Sequence, residues 1–192
     1  LEDHRWISVD DQVRHCLAMD NVDEILFGNA FASEEEFKAI KRVMDEVYVT
    51  IPLKKELGPF AEYIPHGDFK RIPFKIHLAD NVTDLEKKIL YYEAHSASEY
   101  LYYMVRSRWT RIFFKNEDIP FRPCEKDVFH RGDVVIVNDN CKHYHGELHI
   151  VLKDTKNDGE KNYIGRIPDD ELVLLDHFKP GTTFCFENEE VK

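Results

Sequence analysis

A chain of 192 residues that is 43% hydrophobic and 12% aromatic has enough apolar side chains to bury a core, in one or two compact domains. Its 26 Lys and Arg stand against 37 Asp and Glu, a formal charge of −11, which disfavours generic binding to phosphate backbones or anionic lipid. No apolar run approaches the roughly 20 residues that span a bilayer, and the acidic start LEDHRWISVDD is unlike a signal or transit peptide.

The chain starts without Met, which fits a processed or trimmed N-terminus. Four scattered cysteines, Cys16, Cys124, Cys141 and Cys185, form no CxxC and read as reduced thiols of a cytoplasmic protein.

Taken in order, the first third reads as helical. Ser8 caps a short helix over DDQVRHCLAM, with Val13, Cys16 and Leu17 on one face. FASEEEFKAIKRVMDEVYV is a stronger signal. Ser33 and Glu36 make a capping box, acids crowd the first turn, and Phe37, Ile40, Val43, Met44 and Val47 recur at helical spacing. In RIPFKIHL, Ile72, Phe74, Ile76 and Leu78 alternate with polar or proline positions, a half-buried strand that Pro73 assigns to an edge or a strand start. A second capping box, Thr83 with Glu86, opens an expected long helix running to Trp109. Its tyrosine rim and Trp109 make Tyr100, Tyr103 and Trp109 candidate anchors for a protein partner.

NEDIPFRPCEKD is the candidate boundary, dividing a mainly helical α+β region (1–120) from a β domain (121–192). Beyond it the apolar period becomes two. GDVVIVND, KHYHGELHIVLKD, NYIGRIP, LVLLDHF and GTTFCFE read as five short strands joined by tight turns. The expected architecture is therefore α+β: a helical N-terminal region with one or two strands, followed by a small antiparallel SH3-like or OB-like β-barrel.

The densest chemistry lies in NDNCKHYHGELHIVL. On an extended strand His143, His145, Glu147 and His149 share one face, with neighbours roughly 6.5–7 Å apart, so two imidazoles reach one ion. His143 and His145 are the candidate metal ligands, with His130, Asp139, Cys141 or His177 completing a zinc or non-haem iron site. The bland alternative is a solvated histidine face. RGDVVIV followed by HGELHIVL also resembles the paired strands of papain-like cell-wall and lipid hydrolases, which implies His149 as the base for a cysteine nucleophile. Neither Cys16 nor Cys124 has the small-residue context of such a nucleophile.

DTKNDGEK fails as a calcium loop because Lys156 stands where an oxygen ligand belongs. GxSxG, GxxxxGK[ST] and GxGxxG are absent. The sequence expectation is a non-enzymatic binding or regulatory protein acting on another protein. A metal-dependent hydrolase or oxygenase is the alternative, and a cysteine hydrolase the weaker one.

Overall fold

The computed structural model describes residues 2–28 and 31–188. Three helices begin where short polar side chains satisfy otherwise orphaned backbone N–H groups. Ser8 accepts from the Asp11 amide at the start of α1 (Val9–Ala18). Ser33 and Glu36 exchange reciprocal bonds of 3.1 and 2.7 Å at the start of α2 (Glu34–Val47). Val13 of α1 packs with Val43 and Val47 of α2, as their spacing predicts.

A two-stranded hairpin, β1 (Tyr48–Ile51) and β2 (Gly67–Lys70), encloses a 3-10 segment, Lys55–Tyr63. Then come β3 (Ile72–Phe74) and β4 (His77–Leu78). The Thr83–Glu86 box, with bonds of 3.2 and 2.8 Å, starts α3 (Asp84–Leu90).

The long helix expected from Thr83 to Trp109 stops at Leu90. Beyond it run β5 (His95–Ser96), β6 (Glu99–Tyr100) and β7 (Met104–Ser107), before the single turn α4 (Thr110–Phe113). The physical reason is composition: the aromatic-rich segment after Leu90 prefers the pleated surface. Tyr100 therefore lies on β6, packed against the core, and Tyr103 lies in the β6–β7 turn, with its carbonyl accepting from Leu152. Trp109 is the N-cap of α4.

The remaining strands are β8 (Val128–Phe129), β9 (Asp133–Val137), β10 (Leu148–Val151), β11 (Thr155–Lys156), β12 (Lys161–Arg166) and β13 (Thr183–Phe186). An antiparallel six-stranded sheet has the order β4-β12-β9-β10-β7-β6, so strands from both sides of residue 120 share it. A separate three-stranded sheet has the order β3-β13-β5, with β13 parallel to β3 and antiparallel to β5. Pro73 does sit on an edge strand, where its missing N–H costs no ladder bond.

The expected SH3-like or OB-like barrel is incorrect: among the described residues the sheets are open and none closes. Two features account for this. LVLLDHF is not a strand but part of a 3-10 helix, Asp169–His177, entered through Pro168 and three acids; a short apolar run does not distinguish the two by periodicity. GTTFCFE does form a strand, but it joins the three-stranded sheet instead.

The core fills one face of the six-stranded sheet with Val105, Val134, Ile136, Leu148, Ile150 and Ile164, all fully buried. Phe74, Phe178, Phe184 and Phe186 extend it under the smaller sheet, with ring centroids 5.5–6.3 Å apart. Each such side chain contributes roughly 1.5–3 kcal/mol on burial. The opposite face is lined by Phe129, Val135 and Val151.

A charged cluster ties α1 to the C-terminal part. Arg14 is wholly buried, and its Nη1 donates to Asp10 (3.2 Å), Asp11 (2.7 Å) and Glu171 (3.0 Å), while Nη2 bonds Glu187. Lys75 Nζ meets Asp10 at 3.1 Å and Asp11 at 2.8 Å.

Candidate functional site

The histidine segment does not lie on one extended strand. Its left-handed glycine, Gly146 (φ 79°), ends the turn that follows the short 3-10 element Asp139–Cys141, and β10 begins only at Leu148. His143 and His145 therefore belong to a turn, while His149 stands on the strand. The turn is fixed against α4: Thr110 Oγ1 donates to the Gly146 carbonyl at 2.6 Å, and a Cβ at Gly146 would lie 3.2 Å from the Arg111 Cα. Glycine is needed for both the φ and the approach.

Glu147, fully buried, organises the ground beneath the turn. Its Oε2 accepts from Arg106 Nη2 at 2.8 Å and lies 3.1 Å from His149 Nε2, while Oε1 accepts from Arg111 Nη1 at 3.0 Å. Burial pushes the Glu147 carboxyl upward, but His149 and Arg106 outweigh it and hold the group below its ordinary value. Burial lowers the His149 imidazole despite Glu147. His149 Nδ1 has no hydrogen-bond partner among the described residues. Arg106 also bonds Glu99 at 2.6 Å and lies 4.5 Å from the Tyr144 ring centroid.

These elements form one wall of a cavity of about 750 Å³. Arg111 and Lys115 line it from α4 and its C-terminal side, and Lys142, His143 and His145 from the turn. Glu56, Leu57 and Phe60 line it from the 3-10 segment. His145 Nε2 is 3.2 Å from Asp139 Oδ1, but outside hydrogen-bonding geometry, and is a buried atom with no hydrogen-bond partner among the described residues. A second cavity of about 530 Å³ lies between the continuations of two of those walls. Tyr63 and His66 line it on one side, Arg108 and Trp109 on the other, with Ser96, Ser98 and Thr183 adding hydroxyls.

Of the residues singled out from sequence, His143, His145 and Trp109 thus line neighbouring cavities. Tyr103 and His149 line another, with Arg106 and Tyr144, and Tyr100 lines none of the three. Among the described residues no group of three or more His, Cys, Asp or Glu side chains is placed to hold a metal ion. His130 instead meets Asp154 at 3.0 Å, and His177 meets His15 at 2.8 Å.

Sequence reasoning missed Arg111, Lys115, Lys142 and the 3-10 segment facing them. One signal was present: MVRSRWTRIFFK carries Arg106, Arg108, Arg111 and Lys115 and no acid, within a chain of net charge −11.

An open α/β assembly with a cation-lined cavity beside an aromatic, hydroxyl-bearing one defines a domain suited to an anionic, polar small molecule. The chain belongs to the 6-phospho-N-acetylmuramidase family. The model of that family's C-terminal part matches residues 72–187, more than half the chain, and the model of its N-terminal part matches residues 1–42.

Among solved structures, that of an uncharacterized B. cereus protein superposes with a TM-score of 0.78 at 32% identity, over 98% of this chain and 47% of that one. A conserved Enterococcus faecalis protein of unknown function superposes with a TM-score of 0.57 at 19% identity, over 94% of this chain and 41% of that one, a likeness of fold alone. The chain thus spans about half the length, or less, of the structures it matches. No curated protein matches it.

Membership of a glycosidase family overturns the expectation of a non-enzymatic binding or regulatory protein. With it go the alternatives of a metal-dependent hydrolase or oxygenase on His143 and His145, and of a cysteine hydrolase using His149.

Proposed function

We propose that the chain serves as the C-terminal part of a 6-phospho-N-acetylmuramidase, an enzyme hydrolysing the glycosidic bond of a phosphorylated N-acetylmuramic acid. The observation that carries this reading is the family match over residues 72–187. The groove agrees with it chemically. Trp109 and Tyr63 offer aromatic surfaces on which a sugar ring can rest, and the hydroxyls of Ser96, Ser98 and Thr183 can meet its polar edges.

Glycoside hydrolysis ordinarily uses two carboxyl groups flanking the bond, one of them a proton donor. Glu56 is the one carboxylate lining the cation-rich cavity, while Glu147 is buried and bound to arginines. The part this reading gives to the chain is to bind and orient the sugar. The cytoplasm is the compartment we assign, supported by the four free thiols.

The test is to incubate the natural protein carrying this chain with an aryl glycoside of N-acetylmuramic acid 6-phosphate and follow release of the aryl alcohol. Release proportional to enzyme supports the assignment, and no release above background refutes it.

A further inference from the structure

We propose that the cavity lined by Arg111, Lys115, Lys142 and His145 is the seat of the substrate's phosphoryl group. The inference rests on the reading above for the identity of the sugar. The seat itself is argued from this chain's residues.

The chain carries −11 overall, yet among the described residues this cavity is lined by Arg111, Lys115, Lys142 and two imidazoles against one lining carboxylate, Glu56, with Glu147 paired to Arg111 and Asp139 beside His145. Many cations elsewhere in the molecule are paired: Lys41 with Asp45, Lys75 with Asp10 and Asp11, Lys126 with Asp133, Lys161 with Asp158 and Arg131 with Asp176. Lys115 and Lys142 form no ion pair among the described residues. Like charges gathered in one concavity repel one another, and an anion held among them removes that penalty.

Arg111 is anchored through Nη1 to Glu147, which points the guanidinium group at a fixed place rather than leaving it to sample solvent. The buried Thr110–Gly146 bond brings the Lys142–His145 turn against the base of α4, so that lysines distant in sequence line one space. His145 Nε2 is buried at that wall without a hydrogen-bond partner among the described residues, a polar atom that a phosphoryl oxygen can satisfy. Arginine and lysine together give a phosphoryl group both an oriented donor fork and mobile point charges.

The experiment is a calorimetric titration of the natural protein carrying this chain with N-acetylmuramic acid 6-phosphate and with N-acetylmuramic acid, in the wild type and in Lys115→Ala/Lys142→Ala. Both substitutions are at exposed positions, and thermal melts establish that the variant is folded. The wild type is expected to favour the phosphorylated sugar by at least roughly tenfold, equivalent to about 1.4 kcal/mol, and the variant to lose that preference. Equal affinity for the two sugars, binding of neither, or a preference that survives in the folded variant overturns the seat. A preference lost in the variant, with no glycoside cleavage by the wild type, leaves the seat standing and removes the enzyme reading. Cleavage of the glycoside together with a preference indifferent to the lysines does the reverse.

Discussion

Replacing Arg14 with Met tests the charged cluster that joins α1 to the end of the chain. Methionine keeps most of the side-chain volume and removes the guanidinium group. Asp10, Asp11 and Glu171 then keep Lys75, with Arg42 meeting Asp10 at 3.1 Å from the rim, and Glu187 loses its bond to Arg14. Removing one partner of a buried ion pair costs about 3–5 kcal/mol because the remaining charges stay desolvated. In a chain of this size that corresponds to a loss of roughly 6–20 °C in Tm.

The deficit should depend on pH with a definite sign. Burial, with the adjoining Asp11 carboxylate adding to it and Arg14 opposing, pushes the Glu171 carboxyl up to about 8 from 4.5. Between those values the folded chain retains a proton that the unfolded chain has released, so the Glu171 contribution to stability falls as pH rises from 4.5 to 8. Losing Arg14 removes a lowering influence and carries that fall to higher pH. Urea unfolding at pH 5 and pH 8 should therefore show the larger deficit at pH 8, partly recovered in Arg14→Met/Glu171→Gln. A deficit of less than about 1 kcal/mol at pH 8, the ordinary scale of a point substitution, would refute the argument.

Gly146→Ala should strain a residue at φ 79°, costing about 1–2 kcal/mol, and push the turn away from the Arg111 Cα. A modest fall in Tm with a several-fold loss of phosphosugar affinity in calorimetric titration is the expected pair of results. His95 is fully buried, its Nε2 donating to the Leu90 carbonyl and its Nδ1 3.0 Å from Ser107 Oγ, and burial lowers its pKa to about 4 from 6.5. The unfolded chain takes up a proton first as pH falls, so stability is full above 6.5 and declines towards pH 4, by up to about 3 kcal/mol. Ring NMR signals of His95 that remain constant down to pH 5 would agree, and a midpoint near 6.5 would not.

How far the sequence could be read depended on whether its signals were local. The capping boxes at Ser33 and Thr83 were legible because each needs only four consecutive residues to satisfy its own amides. Asp133–Val137 was legible as a buried strand from its apolar run, and Pro73 as an edge residue from its missing donor. The end of α3 was not, because Leu101, Met104 and Val105 fit helical spacing, although Met104 and Val105 form β7 and Leu101 lies between the strands. The histidine row failed for another reason: one left-handed glycine reset the alternation on which its shared face depended. The candidate phosphate seat was least visible, since its cations come from positions 111, 115 and 142 and converge through contacts such as Thr110–Gly146 and Arg111–Glu147.

The placement of β13 has a consequence for biosynthesis. It is the middle strand of its sheet, and its register sets Phe184 opposite Ile72 on one side and His95 on the other. Translation delivers both neighbours long before the strand that joins them. Until residues 183–186 emerge from the ribosome, Phe74 and His95 border an open apolar slot, and Arg14 waits for Glu187. Such late, long-range closure is slow and leaves sticky surface exposed in the nascent chain. Ribosomes stalled just short of codon 183 should carry a product that chaperones retain, and advancing the stall far enough for Glu187 to clear the exit tunnel should release it.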